Sequence, residues 1–80
     1  MEWYVYILKC KDTSYYTGIT TNIEKRIESH RNGKGAKYTK SRGPFSLVYK
    51  EKCKDHSAAL KRERSIKKLK KIQKDNLINK

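Results

Sequence analysis

The sequence predicts a two-layer α+β fold, in which helices pack on a small, mainly antiparallel three-stranded sheet. Residues Trp3 to Cys10 and Tyr15 to Thr20 are rich in aromatic and β-branched side chains, and a polar turn separates them, as in a hairpin. Ile23 and Ile27 then follow at helical spacing. A third strand-like stretch and a longer amphipathic stretch complete the order β-β-α-β-α, with a short last helix after a break near Lys70.

The predicted hairpin places tyrosines beside a glycine. Because side chains alternate along a strand, Tyr4 and Tyr6 share one face, and Val5 and Ile7 share the other. Gly18 lies inside the returning strand, where a glycine often has the structural role of admitting another group close to the backbone. The hairpin alone is explained either by a functional site or by an ordinary aromatic cross-strand pair.

The first helix follows the hairpin directly. Thr21 and Glu24 fit a capping box at its start, and Gly33 fits its C-terminal end. Arg26 and His30 are four residues apart and border the isoleucine stripe. By pattern alone, Arg26 is a cation that reaches into water, and His30 is a surface residue near a helix C-terminus, where positive charge is favoured.

The second half of the chain reads as a strand followed by helix. The third strand is predicted from Phe45 to Lys52, with three apolar side chains on one face: Phe45, Leu47 and Tyr49. Asp55 or Ser57 caps the second helix. The short last helix runs from about Ile72 to Ile78.

The charge balance indicates a polyanionic partner. The 80 residues carry a formal net charge of +13, and 36% of them are charged against 35% hydrophobic, so a single domain (1–80) with a modest core is expected. Nucleic acid is the first expected partner; an anionic membrane surface or an acidic protein comes next. The sequence has no apolar run that could span a bilayer and no signal-peptide core, which predicts a cytoplasmic protein and no membrane insertion.

Positive charge is concentrated in a loop from Gly33 to Pro44, which contains no acid. A basic loop with one aromatic ring suits a nucleic-acid backbone and a stacked base, and the alternative is a solvated, mobile loop. The expected nucleic-acid contacts lie in this loop and near the end of the second helix: Lys34, Lys37, Tyr38, Lys40, Arg42, Lys67 and Lys68.

The two cysteines, Cys10 and Cys53, are far apart in the sequence and are expected to be reduced structural residues. With two histidines, they do not have the spacing of a common zinc site.

Glu63 is a charged residue on the apolar face of the second predicted helix. It lies four residues after Ala59 and three before Ile66, which places it on the face of the second helix that packs on the sheet. A carboxylate there requires a compensating partner. The alternatives are a salt bridge, for example to Arg26, and a divalent cation in a phosphodiester-cleaving site, since magnesium often uses only one or two carboxylates plus substrate phosphate.

Taken in order, these residues resemble the motifs of the GIY-YIG endonuclease family. Tyr4-Val5-Tyr6 stands where the family has Gly-Ile-Tyr, and Tyr16-Thr17-Gly18 stands for Tyr-Ile-Gly. Arg26 and His30 match the Arg-x-x-x-His pattern of the first helix, and Glu63 matches the acid of the second. Nearly the whole chain is similar to the small stand-alone bacterial members, and also to the N-terminal nuclease domain of UvrC. The family fold has the same element order.

The resemblance implies a metal-dependent endonuclease that hydrolyses DNA phosphodiester bonds, with a role in DNA repair or recombination. Tyr6 would contact or deprotonate the attacking water, and Tyr16 would position the phosphate or share in proton transfer. Arg26 would stabilise the phosphoryl oxygens, His30 would belong to the same catalytic set, and Glu63 would hold a single Mg²⁺ or Mn²⁺. A tyrosine with a pKa of about 10 is a poor base near neutrality, so a nearby cation is expected to lower the pKa of the tyrosine that deprotonates the water.

Two features depart from the family pattern. Tyr4 replaces the first glycine, and the asparagine that many members carry late in the chain is matched only by the spacing of Asn76, with Lys37 or Lys40 as substitutes. Larger relatives also add a DNA-recognition domain for which this chain has no room. The alternative function is therefore a non-catalytic DNA- or RNA-binding module with the same fold.

Overall fold

The computed structural model describes residues 2–32 and 44–79, which contain three strands and three helices. The elements are β1 (Trp3–Lys9), β2 (Tyr15–Thr20), α1 (Ile23–Arg31), β3 (Ser46–Cys53), α2 (His56–Lys67) and α3 (Lys71–Ile78). This order confirms the predicted α+β class and the break before a short last helix.

The sheet is antiparallel and has β1 at its centre, in the order β2-β1-β3. The hairpin turn is closed by Asp12, whose Oδ1 accepts hydrogen bonds from the Ser14 N–H at 3.1 Å and the Ser14 hydroxyl at 2.6 Å. The resulting register pairs Tyr6 with Gly18 and Leu8 with Tyr16. The glycine and the two tyrosines that the sequence singles out are thus neighbours on one face of the hairpin.

Both faces of β1 are buried, because Val5 to Leu8 are at most 1% exposed. On one face, Val5 and Ile7 pack with residues of β3 and α2: Cys53, Ala59 and Ile66. On the other face, Tyr6 and Leu8 pack with Cys10, Phe45 and two residues of α1: Ile23 and Ile27. Helices therefore flank the sheet on both faces, with α1 on one face and α2 on the other. The alternation along β1 is between aromatic and aliphatic side chains, so neither face can be left to water.

The two cysteines are buried and free. Cys10 belongs to the cluster on the α1 side of the sheet and Cys53 to the cluster on the α2 side. The sheet itself separates the two thiols, so the prediction of unpaired cysteines is confirmed.

The prediction for the face of β3 is wrong. The pairing of β1 with β3 shifts register between Ile7 and Leu8. Phe45 is buried on the α1 side, whereas Tyr49 packs on the α2 side and Leu47 is exposed. An irregularity of this kind inserts a residue on one strand and reverses the faces that follow it, which simple alternation along the sequence cannot reveal.

The prediction for the start of α1 is wrong by one residue. Asn22 is the N-cap, and its side-chain oxygen accepts the Lys25 N–H at 3.1 Å, so Thr21 and Glu24 do not form the capping box. Asn32 is the C-cap, and Gly33 lies outside the described residues. Asp55 caps α2 as predicted, by accepting the Ala58 N–H at 2.8 Å.

Within residues 2–32 and 44–79, no helix has the length and apolar character needed to cross a membrane.

Candidate active site

Tyr6 is the centre of the candidate site. Its side chain is 1% exposed, and its hydroxyl lies 2.9 Å from His30 Nε2 and 3.4 Å from Arg26 Nε. The guanidinium can only donate, so the Tyr6 oxygen accepts from Arg26. When Nε2 of His30 carries no proton, the Tyr6 hydroxyl donates to it. Strand β1 therefore supplies the hydroxyl, and one side of α1 supplies both of its partners.

Gly18 admits the Tyr6 ring against β2. A Cβ at position 18 would lie 2.5 Å from the Tyr6 Oη and 2.7 Å from its Cζ. Any side chain at this position would therefore displace the Tyr6 ring. The absence of a side chain at Gly18 is what allows the Tyr6 ring to lie this close to β2.

His30 is buried, and the expectation of a surface residue is wrong. Its ring is 1% exposed and lies 5.1 Å from the Tyr16 ring, 6.0 Å from the Tyr6 ring and 6.1 Å from the Phe45 ring, measured between centroids. Position 30 in α1 faces the aromatic side of the sheet, a contact that helical spacing alone does not reveal. Burial, followed by the positive charge of Arg26, lowers the pKa of His30. The imidazole is therefore held in its neutral form near neutral pH and can accept a proton.

The pKa of Tyr6 is raised, contrary to the expectation that a cation lowers it. Burial of the phenol is the largest cause, and the hydrogen bond from Arg26 opposes it without overcoming it. The negative charge of Glu63 adds to the increase. Tyr6 is therefore a protonated phenol at neutral pH, whose proton has a neutral imidazole beside it.

Arg26 is half-buried and touches both tyrosines of the site. Its hydrogen bond to Tyr6 is the main reason that the pKa of Arg26 is raised, and a smaller interaction with Tyr16 acts in the same direction. The guanidinium also borders an open pocket of about 230 Å³ that includes Asn22 and Ser29. A phosphate in this pocket would meet a permanent cation beside the Tyr6 hydroxyl.

Glu63 is the predicted catalytic residue that lies on α2. Its side chain is 18% exposed, and Oε2 lies 3.4 Å from the Nζ of Lys67, one helical turn later. Partial burial agrees with its predicted place on the packed face of α2. In the described part of the chain, the ion pair of Glu63 is with Lys67 and not with Arg26. The negative charge of Glu63 makes a small contribution to raising the pKa of Tyr6.

The described residues offer few ligands for a divalent cation, so the substrate would have to supply some of the oxygen atoms that coordinate it. No group of three or more His, Cys, Asp or Glu side chains that could hold a metal occurs in residues 2–32 and 44–79. Glu63 is the carboxylate near Tyr6, and magnesium commonly uses one or two carboxylates with water and substrate phosphate. These residues thus fit a one-carboxylate site.

The remaining predicted residues fall in two groups. Lys67 and Lys68 are exposed at the end of α2, and Asn76 is exposed on α3. Five residues of the basic loop lie outside the described residues: Lys34, Lys37, Tyr38, Lys40 and Arg42.

The sequence analysis did not single out Thr17 or Lys74. Both line a pocket with Tyr16 and Lys67, beside the site. Lys74 was visible in the sequence only as one of many lysines, and Thr17 only as the middle residue of a motif.

The chain is similar to a known family and to several known proteins. The model of the GIY-YIG catalytic domain matches residues 2–76. A UPF0213 protein of Clostridium perfringens is 59% identical over 76 residues, which cover 95% of this chain and 82% of that protein. A UPF0213 protein of Staphylococcus haemolyticus is 56% identical over 75 residues, which cover 94% of this chain and 92% of that protein.

Two solved structures resemble the fold. The solution NMR structure of a UPF0213 protein from Bacillus halodurans has a TM-score of 0.64 at 47% identity and covers 99% of this chain and 84% of that chain. The solution NMR structure of a protein from E. faecalis has a TM-score of 0.68 at 38% identity, with the same two coverages.

Proposed function

Because the chain belongs to the GIY-YIG family, we propose that it is a metal-dependent endonuclease that hydrolyses DNA phosphodiester bonds. The observation that carries this proposal is the buried hydroxyl of Tyr6, bonded to both Arg26 and His30. A purely structural tyrosine needs one partner, whereas this one joins a phosphate-binding cation to a neutral base.

In the proposed mechanism, the scissile phosphate lies against Arg26, whose charge stabilises the phosphoryl oxygens as negative charge develops. The attacking water gives its proton towards the Tyr6 oxygen, and Tyr6 passes its own proton to His30 Nε2 over the existing 2.9 Å contact. The raised pKa of Tyr6 makes it a better acceptor once its own proton has left. The lowered pKa of His30 ensures that the imidazole is free to receive that proton.

In this proposal, Tyr16 keeps the side chains of Tyr6 and His30 in position. Its ring lies 6.3 Å from the Tyr6 ring and 5.1 Å from the His30 ring, between centroids, and so packs against both groups. In the proposed complex it would help to position the phosphate. Glu63 would hold a single Mg²⁺ or Mn²⁺, which when bound would neutralise charge on the phosphate and on the leaving oxygen. A role in DNA repair or recombination belongs to the same proposal.

One observation favours the second candidate, a nucleic-acid-binding module that does not cut. The carboxylate of Glu63 already has a cation beside it, since Lys67 lies 3.4 Å away. A permanent pair of this kind would satisfy Glu63 without a metal.

The experiment that separates the two candidates compares Glu63→Gln with Glu28→Gln. Both variants remove one negative charge, but Glu28 is exposed on α1. Cleavage of plasmid, nicked, flap and single-stranded DNA is measured with Mg²⁺ and with Mn²⁺, alongside DNA affinity in EDTA and the melting temperature. The nuclease proposal predicts that Glu63→Gln lowers the cleavage rate by about 10²- to 10³-fold and keeps DNA binding, while Glu28→Gln cleaves like the unmodified chain.

Two results would contradict this proposal. An unmodified chain that binds but cuts none of these substrates with either metal would favour the binding module. Cleavage by Glu63→Gln at the unmodified rate would remove the metal-ligand role of Glu63.

A further inference from the structure

A pocket of about 270 Å³ lies at the outer edge of β2, and we name it the β2-edge pocket. Five residues of β2, α2 and α3 line it: Tyr15, Tyr16, Thr17, Lys67 and Lys74. Two of them also touch the candidate active site, since the Tyr16 ring packs on His30 and Lys67 is paired with Glu63. The pocket therefore shares two neighbours with the candidate active site, His30 through Tyr16 and Glu63 through Lys67.

The pocket has a buried polar group to offer to a ligand. Thr17 is 3% exposed, and its hydroxyl has no hydrogen-bond partner among the described residues. Burying a hydroxyl without a partner is costly, and such groups in folded proteins usually have a reason beyond the fold. A phosphate oxygen is an acceptor that would satisfy it.

The pocket also has an excess of positive charge. Of the two nearby carboxylates, Asp75 accepts a hydrogen bond from the Tyr15 hydroxyl, and Glu63 is paired with Lys67. Lys74 is half-buried and has no ion pair with a described residue. An anion is the ligand that would complement these lysines.

The helix that carries Lys74 is fixed to the hairpin. Besides the contact between Tyr15 and Asp75, the Nζ of Lys71 lies 3.4 Å from the Thr13 hydroxyl and 5.9 Å from the centre of the Tyr15 ring. These contacts hold α3 against β2 and so keep Lys74 facing the pocket. A site on anchored elements positions a ligand better than a mobile tail does.

We propose that the β2-edge pocket binds a backbone phosphate of the nucleic acid, next to the phosphate that is cut. This inference rests on the proposed function and extends it: Lys74 and Lys67 contact the flanking phosphate, and the Thr17 hydroxyl donates to one of its oxygens. The strand then runs along β2 from Arg26 towards α3. Lys74 and Thr17 are positioning residues in this proposal and take no part in the chemistry.

The test measures binding without cleavage. Fluorescence anisotropy with a labelled DNA duplex in EDTA gives the affinity at several salt concentrations for Lys74→Ala and for the control Lys61→Ala. Lys61 is also a helix lysine, but it lies beside Arg62 and Lys52 at the β3 edge, which is the edge of the sheet opposite to β2. Losing one phosphate contact should reduce the log–log salt slope by about 0.9 and the affinity roughly five- to tenfold at about 0.1 M salt. Lys61→Ala should change both by much less.

Thr17→Val tests the buried hydroxyl with a side chain of nearly the same shape. The proposal predicts weaker DNA binding together with an unchanged or higher melting temperature, because the variant removes a group that lacks a partner in the free fold. Equal losses of affinity for Lys74→Ala and Lys61→Ala would contradict the proposal that the β2-edge pocket binds a phosphate. A Thr17→Val variant that binds like the unmodified chain would overturn the role of the hydroxyl.

Failure of this inference can be told from failure of the proposed function. If the unmodified chain cuts DNA while Lys74→Ala binds normally, the pocket proposal is wrong and the nuclease stands. If the unmodified chain never cuts while Lys74→Ala binds weakly with a reduced salt slope, the nuclease is wrong and the pocket stands.

Discussion

The polar and charged groups are buried on one side of the sheet and mostly exposed on the other. On the α1 side, Tyr6 and His30 are each 1% exposed, and a half-buried Arg26 is held against them. On the α2 and α3 side, the cations are mostly at the surface, as in Lys67 with 54% of its side chain exposed. Groups that exchange protons need fixed positions and fixed protonation states, which burial provides. Groups that attract a phosphate backbone need only charge and access.

Glu63 links the two sides. It sits on α2 among residues that pack on the sheet, yet its charge reaches Tyr6 on the α1 side. The comparison therefore predicts that variants on the α1 side change the rate of cleavage or the stability, and that variants of the surface lysines change affinity.

The largest effect is expected for Tyr6→Phe. The variant keeps the buried ring and removes the hydroxyl that joins Arg26 to His30. We expect the single-turnover cleavage rate to fall about 10²- to 10⁴-fold, as when a positioned general base is lost. Tyr4→Phe is the matched control, because Tyr4 lies on the same face of β1 and its hydroxyl donates to the exposed carboxylate of Glu2 at 2.8 Å. Similar rates for the two variants would remove Tyr6 from the chemistry.

A smaller effect, on stability, is expected for Gly18→Ala. The added Cβ would lie 2.5 Å from the Tyr6 Oη, so the ring must move and the free energy of unfolding should fall by about 1–3 kcal/mol. Denaturant titration measures this change. In the double variant with Tyr6→Phe the nearest atom is gone, and the combined loss should be smaller than the sum of the two single losses. Strict additivity would show that the two positions do not interact.

The smallest effect is expected in the pH dependence of stability. Since the folded pKa of His30 lies below its unfolded value of about 6.5, the unfolded chain binds more protons between the two values. The stabilisation is complete above the unfolded pKa and is lost as pH falls towards and through the folded pKa. The slope that His30 contributes is at most about 1.4 kcal/mol per pH unit.

Melting temperatures from pH 7.5 to 5 should show this loss, and His30→Gln should flatten it. His56→Gln is the control, because His56 is exposed and its ring lies at the surface, 4.4 Å from the Trp3 ring between centroids. A profile that flattens equally in both variants would contradict the assignment to His30.

The features that could be predicted from the sequence are those that depend on residues close together in the chain. The hairpin, the cap at Asp55 and the break before α3 follow from residue types close together in the chain. Matches to family motifs selected Tyr6, Arg26 and Glu63, and the fold brings these three near one another.

What could not be predicted depends on contacts between distant residues. His30 is buried because Phe45 and Tyr16 cover it, and neither is its neighbour in sequence. The pKa of Tyr6 rises because burial outweighs the bond to Arg26, a balance that requires the packed structure. The reversed faces around Leu47 arise from a register shift against β1, which the sequence of β3 does not show.

The most direct test of this account measures rate and affinity together for two variants, Tyr6→Phe and Lys74→Ala. Single-turnover cleavage at saturating protein gives the rate of the chemical step, and anisotropy in EDTA gives the dissociation constant. The account predicts that Tyr6→Phe lowers the rate with little change in affinity, and that Lys74→Ala lowers affinity with little change in the saturated rate. If Tyr6→Phe instead weakens binding and leaves the saturated rate unchanged, the buried tyrosine is a binding residue and the proposed chemistry at Tyr6 is wrong.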